Sequence, residues 1–362
     1  MIYADDALLA DEMMAVVTTG EGGFDKLDYR KVPMPTLAKG EVLIKVLAAG
    51  INNTDINTRL GWYARDVTEA TDNTSDDAQN KTGDGGWAGK TPFPLIQGTD
   101  CCGLVVACAD QQNSHLLAQR VLVRACMRPK GFTSFEMTWM ASNFDGAFAD
   151  YVAVPAGEVF AINCDWRDEE LATIPCAYAT AETMLARAQC TAADRVIITG
   201  ASGGVGSAAI QLAKRRGAYV IGVTSADKAQ AIKELGCDEV FLRDDPLDKR
   251  LADNPATIVI DNVAGAGFGM MLKCLVAGGR YASSGAIAGP IVSLDMRDLY
   301  LKDITLIGST AWDEEVFGNL IRYIEAGEIK PILAASYPLA QIIEAQSYFM
   351  RKTHIGNVVL VP

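Results

Sequence analysis

The 362-residue chain reads as an α/β protein in two parts, a barrel-like β part followed by a doubly wound parallel sheet. Three observations predict this. Up to about residue 155, short strand-like runs follow one another with little helix between them. From about residue 168, strands alternate with amphipathic helices, which is the pattern of a parallel sheet with crossovers. One of those strand-to-helix passages, RVIITGASGGVGSAAIQLAKRRG (195–217), carries glycines at 200, 203 and 206.

In order, the first part has strand-like runs at Met14–Thr18, Glu41–Gly50, Gly103–Ala109, Gln119–Arg124 and Phe148–Val154, bounded by Gly, Pro and Asn/Asp. Residues 64–92 are polar, Gly-rich and nearly free of aliphatics; this stretch is a long loop or insertion, either a lid or inert. The second part opens with a helix at Asp168–Gln189. Strand Arg195–Thr199 follows, then helix Gly206–Arg216, with Val205, Ala208, Ala209 and Leu212 as its apolar positions. Next come strand Tyr219–Thr224, helix Asp227–Leu235, and strands Glu239–Leu242, Thr257–Asp261, Gly279–Ser284 and Thr305–Gly308. A helix at Glu314–Ala326 and short strands ending at Asn357–Val361 return the chain to the first part.

Composition removes several classes of function. Acidic residues outnumber basic ones 45 to 32, so the net charge is −13 and a nucleic-acid backbone would be repelled. No apolar run reaches the roughly 18–20 residues of a membrane span, so no membrane association is expected. The start, MIYADDALLADEMM, lacks a basic segment followed by an apolar one; it reads as a short acidic extension, not a secretory signal. The nine cysteines form no CxxC pair and sit mostly in apolar segments, as small hydrophobes do. A reducing cytoplasm is the expected setting.

The chemistry centres on Thr199–Gly206. Gly200 permits a tight turn, Gly203 lets backbone N–H groups approach a pyrophosphate, and Gly206 lets helix and strand pack closely. Ser202, Gly204 and Val205 complete the turn, and the helix N-terminus offers unpaired donors to the phosphates. The next strand, YVIGVTSADK (219–228), decides the cofactor: NAD sites carry a carboxylate at its end, and here none occurs before Asp227. Ser225 and Lys228 suit a 2′-phosphate instead, with Arg243 adding charge, so NADPH is expected. The plainer alternative makes Asp227 a helix cap and Lys228 a solvated surface residue. Asn262 and Val263, and Ser284, Gly285 and Ala286, end further strands and should border the nicotinamide.

Seven blocks carry a resemblance: GEVLIKVLAAGINNTDINTRLGWY (40–63), PFPLIQGTDCCGLVV (92–106), GAFADYVAVP (146–155), TGASGGVGSAAIQLAKRRGA (199–218), DNVAG (261–265), GGRYASSGAIAGP (278–290) and the C-terminal GNVVLVP. In this order they resemble the medium-chain dehydrogenase/reductase superfamily, its zinc-free quinone oxidoreductase branch above all. The resemblance implies a GroES-like β-barrel domain in two segments, 14–160 and 315–362, around a Rossmann domain at 161–314. Metal-dependent members hold catalytic zinc through residues matching Asn52, Thr99–Asp100 and Cys176. One thiol and a displaced carboxylate cannot make a three-ligand site, and His115 and His354 lie elsewhere, so no metal is expected.

By the same resemblance, Asn52 and Tyr63 are the candidate catalytic groups, and Thr180 matches a threonine beside the nicotinamide. Related quinone reductases carry a tyrosine at the place of Asn57. Gly356 and Asn357 match a turn closing over the cofactor, with Asn357 replacing a common lysine. Asp55 and Arg59 are expected to pair as ions; Trp62, Tyr63 and Trp87 are candidate aromatic walls. A homodimer joined near Thr305–Gly308 is expected. The implied activity is NADPH-dependent, zinc-independent reduction of a quinone or α,β-unsaturated carbonyl. A zinc-free alcohol dehydrogenase or ketone reductase, and a non-catalytic NADPH-binding protein, are the alternatives.

Overall fold

The computed structural model describes residues 2–3, 10–71 and 89–362. Trp87 and most of the 64–92 stretch lie outside them. Two sheets dominate. In the first, the long strand Glu41–Ile51 is central, flanked by Cys102–Cys108 on one edge and Asn357–Val361 on the other. Tyr151–Pro155 also pairs with Glu41–Ile51, and Leu333–Pro338 extends the sheet beyond Asn357–Val361. A smaller sheet of Glu12–Thr18, Leu27–Pro33 and Leu95–Ile96 lies beside it.

The second sheet has six parallel strands. Their order is Glu239–Leu242, Tyr219–Thr224, Arg195–Ile198, Ala256–Asp261, Leu275–Ser283 and Thr305–Gly308. Its inner strands are buried apolar runs, as helices on both faces require. Helix Glu314–Glu325 shows the pattern on the helical side: Val316, Phe317, Leu320, Ile321 and Ile324 form one buried stripe. The architecture is therefore mixed α/β, a GroES-like part plus a Rossmann-like parallel sheet, as the sequence predicts. We propose the domain division expected above, and the sheet membership of residues 333–338 and 357–361 supports it.

Three local expectations change. Asp168–Gln189 is two helices, Asp168–Leu171 and Pro175–Arg187. Pro175 cannot continue a helix, having no N–H, but starts one well. The helix after the glycine turn begins at Gly204, two residues earlier than expected, so Gly204 and Val205 belong to its first turn. Strand Leu27–Pro33 has no counterpart in the sequence reading. Only Leu27 of it is buried and both faces meet solvent, so no period-two signal arises.

The C-terminal segment does more than finish the first sheet. Val358, Val359 and Leu360 pair antiparallel with Ile51, Gly50 and Ala49. Two residues before Val358, Gly356 N–H donates to the Ser202 carbonyl at 3.0 Å, and Gly203 and Gly356 form a bridge. The glycine turn is thereby fastened to the first sheet.

Candidate active site

A cavity of about 320 Å³ opens between the two parts. Ile51, Asn52, Asn53, Thr54, Asn57, Trp62, Tyr63, Trp139 and Phe349 line one side. Cys176, Thr180, Gly204, Val205, Asn262, Ser284, Gly285, Ala286, Ile287, Ser309 and Thr310 line the other, with Asn357 at the junction. Both candidate catalytic groups thus line the same cavity as the strand ends and Thr180. Gly200, Ser202, Gly203, Gly206, Val263, Ser225, Lys228 and Arg243 lie outside this wall, along the glycine turn and the neighbouring strand ends.

The turn has the shape a dinucleotide needs. Gly200 sits at φ 54°, in the left-handed region, and Gly203 N–H closes back on its carbonyl at 3.0 Å. A Cβ on Gly206 would overlap the Gly200 carbonyl oxygen and crowd the Ala201 backbone. A Cβ on Gly204 would overlap the Asn357 amide oxygen. Asn357 is held there by donating to the Thr173 carbonyl at 2.8 Å, so it braces the helix start through its amide rather than through a charge. The twelve-residue helix Gly204–Arg215 then presents its free N–H groups at the turn.

Asp261 organises the adjoining strand ends. Its Oδ1 accepts from Thr199 Oγ1 at 2.5 Å, from Val263 N–H at 2.7 Å and from Ala264 N–H at 3.1 Å. Its Oδ2 accepts from the Tyr281 hydroxyl at 2.5 Å. Next to it, Ser284 Oγ donates to Asn262 Oδ1 at 2.6 Å, joining two of the expected nicotinamide neighbours. Residues before the undescribed stretch also reach this rim, where Thr71 N–H donates to the Ile287 carbonyl at 3.0 Å.

Lys228 is not a solvated residue. It is buried, and its ammonium donates to the carbonyls of Lys352 and His354, the latter at 2.9 Å. Burial, with Arg243 nearby, holds its pKa below the ordinary lysine range, against an opposing pull from Asp227. The Ser225 hydroxyl, with smaller help from Lys228 and Arg243, lowers the pKa of the exposed Asp227 carboxyl. The Lys228 ammonium is thus turned to the 352–354 backbone, with the Arg243 charge near enough to act on both Lys228 and Asp227.

Where metal-dependent relatives have ligands, this chain has a hydrogen-bonded network. Asn52 Nδ2 donates to Asp100 Oδ2 at 2.7 Å, and Cys176 N–H donates to Asp100 Oδ1 at 2.6 Å. Burial first, then the charges of Asp100 and Asp55, pushes the Cys176 thiol well above its usual range, so the sulfur stays protonated. Among the described residues, no group of three or more His, Cys, Asp or Glu is placed to hold a metal ion.

Asp55 accepts from Asn52 N–H at 2.8 Å and Gly98 N–H at 3.2 Å. Arg59 instead donates to Gln346 Oε1 at 3.2 Å and the Gly22 carbonyl at 2.7 Å. The two expected ion partners thus have different neighbours: Asp55 caps the start of its helix, while Arg59 turns toward the Gly22 loop. Burial pushes Asp55 up to about 7, with Asp100 adding to the rise. An unfolded aspartate releases its proton near 3.8, so between about 4 and 7 the folded chain binds more protons and loses stability as pH rises. Asp55→Asn is expected to gain on the wild type across that window in thermal denaturation. A difference that stays constant or shrinks with rising pH contradicts this.

Tyr63 is half-buried in the cavity wall, with the Thr54 and Asn57 side chains beside its hydroxyl. Burial raises its pKa, so it remains a phenol and a donor. The Asn57 carboxamide oxygen is buried and has no hydrogen-bond partner among the described residues. Trp62 stands edge-on to Tyr63 at 5.5 Å and is fixed by donating Nε1–H to the Glu69 carbonyl. The sequence reading missed Trp139, which packs edge-on against Trp312 at 5.2 Å, and Phe349. Neither lies in a motif; Asp261 does, as the first residue of DNVAG.

A glycine-braced dinucleotide turn facing an aromatic-walled cavity defines a nicotinamide-dependent oxidoreductase. Comparison with known proteins agrees. The chain matches the alcohol dehydrogenase GroES-like domain over residues 38–163 and the zinc-binding dehydrogenase domain over residues 204–326. A protein of Sinorhizobium meliloti 1021, described provisionally as an alcohol dehydrogenase, superposes with a TM-score of 0.89 at 40% identity over 98% of each chain. Human quinone oxidoreductase is 27% identical over 92% of each chain. The chloroplastic NADPH-dependent alkenal/one oxidoreductase of Arabidopsis thaliana is 28% identical, covering 99% of this chain and 81% of its own. The chain belongs to the medium-chain dehydrogenase/reductase superfamily. Its members bind nicotinamide cofactors and act on small molecules. No helix among the described residues is long and apolar enough to cross a membrane.

Proposed function

We propose that this protein is an NADPH-dependent, zinc-independent reductase of quinones or α,β-unsaturated carbonyl compounds. The observation that carries the proposal is the Tyr63 phenol, with Thr54 and Asn57 beside it, in the cavity that Thr180 and the strand ends also line. The bound nicotinamide would supply a hydride. Hydride addition to an enone or quinone leaves negative charge on oxygen, which a buried donor stabilises. Tyr63 O–H and the Asn52 amide are the donors this wall offers. Tyr63 thereby occupies the role that a tyrosine at position 57 would have, with Asn57 now orienting it.

Zinc independence is supported by the donor set, an amide and a hydroxyl at two of the three ligand positions (Asn52 and Thr99). NADPH is supported by Lys228, Ser225 and Arg243 at the second strand, and by the NADPH dependence named for the Arabidopsis relative. Gly200, Ser202, Gly203, Gly204, Val205 and Gly206 would hold the pyrophosphate. Thr180, Asn262, Val263, Ser284, Gly285, Ala286 and Asn357 would surround the nicotinamide end.

NADPH consumption with a panel of quinones and enones, with and without chelator, tests the proposal. Turnover that survives chelation is expected; its loss on chelation overturns zinc independence. Tyr63→Phe removes one donor and should lower kcat by about tenfold with little change in NADPH affinity. Lys228→Ala should weaken NADPH by about tenfold and NADH far less. Equal losses for the two cofactors would remove the 2′-phosphate assignment. The Sinorhizobium neighbour favours a second reading, oxidation of simple alcohols with NADP. Such oxidation without enone or quinone reduction would establish it.

We also propose a cytoplasmic homodimer. Among the described residues, strand Thr305–Gly308 stands at the end of its sheet, its Leu306 is exposed, and so are Ile291, Met296, Tyr300 and Leu301 in the segment just before it.

A further inference from the structure

We propose that Asp100 is a positioning residue for hydride transfer: its buried carboxylate, anchored on the Cys176 N–H, aims the Asn52 carboxamide into the cavity. The inference rests on the reductase reading above and assigns a role to a residue outside the expected cofactor and catalytic set.

Asp100 is completely buried, and each oxygen has one donor from a different element. Oδ1 takes the N–H of Cys176, in the first turn of helix Pro175–Arg187, at 2.6 Å. Oδ2 takes the Asn52 amide at 2.7 Å. Room for the carboxylate exists because residue 50 is glycine: a Cβ there would overlap Asp100 Oδ2 and the Ala172 carbonyl. Asn52 is then held twice, its backbone N–H by Asp55 at 2.8 Å and its side chain by Asp100.

That double grip has a chemical consequence. A carboxamide is planar, so fixing one N–H on Asp100 fixes the direction of the other N–H and of the oxygen. Asn52 lines the cavity, so what it offers a bound carbonyl is set by Asp100. The same oxygen pair ties the Asn52 wall to the helix that carries Thr180, so donor and nicotinamide neighbour move as one unit.

A double-mutant cycle on the full chain tests this. Asp100→Asn keeps an oxygen for the Cys176 N–H but faces Asn52 with an N–H₂ group. Its kcat for an enone should fall by about tenfold or more, with KM for NADPH within about twofold of wild type. In an Asn52→Ala background the same substitution should change kcat by less than about twofold. Asp100→Ala, which removes the acceptor for the Asn52 amide, should behave as Asp100→Asn does and serves if that variant does not fold. Additive losses, an unchanged kcat, or a loss confined to NADPH binding would overturn the proposal. If the wild type turns over no enone or quinone, the reductase reading fails, and Asp100 is judged by binding. A non-reactive saturated ketone, added with NADP and followed by tryptophan fluorescence, should then show the same non-additive loss of affinity; additive losses overturn the role.

Discussion

Gly206→Val is expected to eliminate measurable NADPH binding, a loss of more than about 100-fold in affinity by fluorescence titration. The β-carbon has no free space, since it would overlap the Gly200 carbonyl oxygen and lie 2.8 Å from the Ala201 Cα, both backbone. Relief requires the helix to move off the strand, and with it the N–H groups of Gly204 and Val205. Gly203→Ala separates this packing effect from cofactor approach. Gly203 has φ −78° and ψ 174°, which alanine adopts freely, and its β-carbon would meet only the Gly200 oxygen at 3.5 Å. Gly203→Ala should therefore melt as the wild type does and still bind NADPH poorly, because the added methyl stands where the pyrophosphate approaches. Normal affinity in Gly203→Ala would move the pyrophosphate away from this turn.

The contrast between these glycines shows which features a sequence exposes. The turn was legible because each glycine answers a local backbone demand, and the spacing of three such demands is itself the signal. The alternation of strand and helix after residue 168 was legible for the same reason, being a short-range period. Features resting on distant partners were not. Lys228 reads as a phosphate ligand or a surface lysine, and only the surface reading falls, because the side chain is buried and its ammonium donates to carbonyls 124 and 126 residues away. Trp139 and Phe349 meet in one cavity wall from segments with no shared motif. The Asp55–Arg59 expectation followed from helical spacing, and failed because the carboxylate meets other demands, the Asn52 N–H at its own helix start and the Gly98 N–H. Asp100 was visible only as a misplaced zinc ligand; what it does depends on Gly50, Asn52 and Cys176 converging.

Asp261→Ala should be the most destabilising single change at the site, costing about 4 kcal/mol in denaturant unfolding. The carboxylate is buried and satisfies four donors, the Thr199 and Tyr281 hydroxyls and the N–H groups of Val263 and Ala264. A buried donor left unpaired costs about 1–3 kcal/mol, and relaxation keeps four such losses from adding fully. Ala264 carries a further demand, since it sits at φ 53° and the Asp261 bond to its N–H holds it there. Asp261→Asn makes the argument sharper. The amide oxygen still serves Thr199 and the two N–H groups, and the tyrosine hydroxyl can turn from donor to acceptor for the amide N–H. Its cost should be about 1 kcal/mol. If Asp261→Ala lies within about 1 kcal/mol of wild type, the strand end is held by packing and not by this carboxylate. Because Thr199 opens the glycine turn and Asn262 faces the cavity, the alanine variant should also weaken NADPH binding while the asparagine variant preserves it.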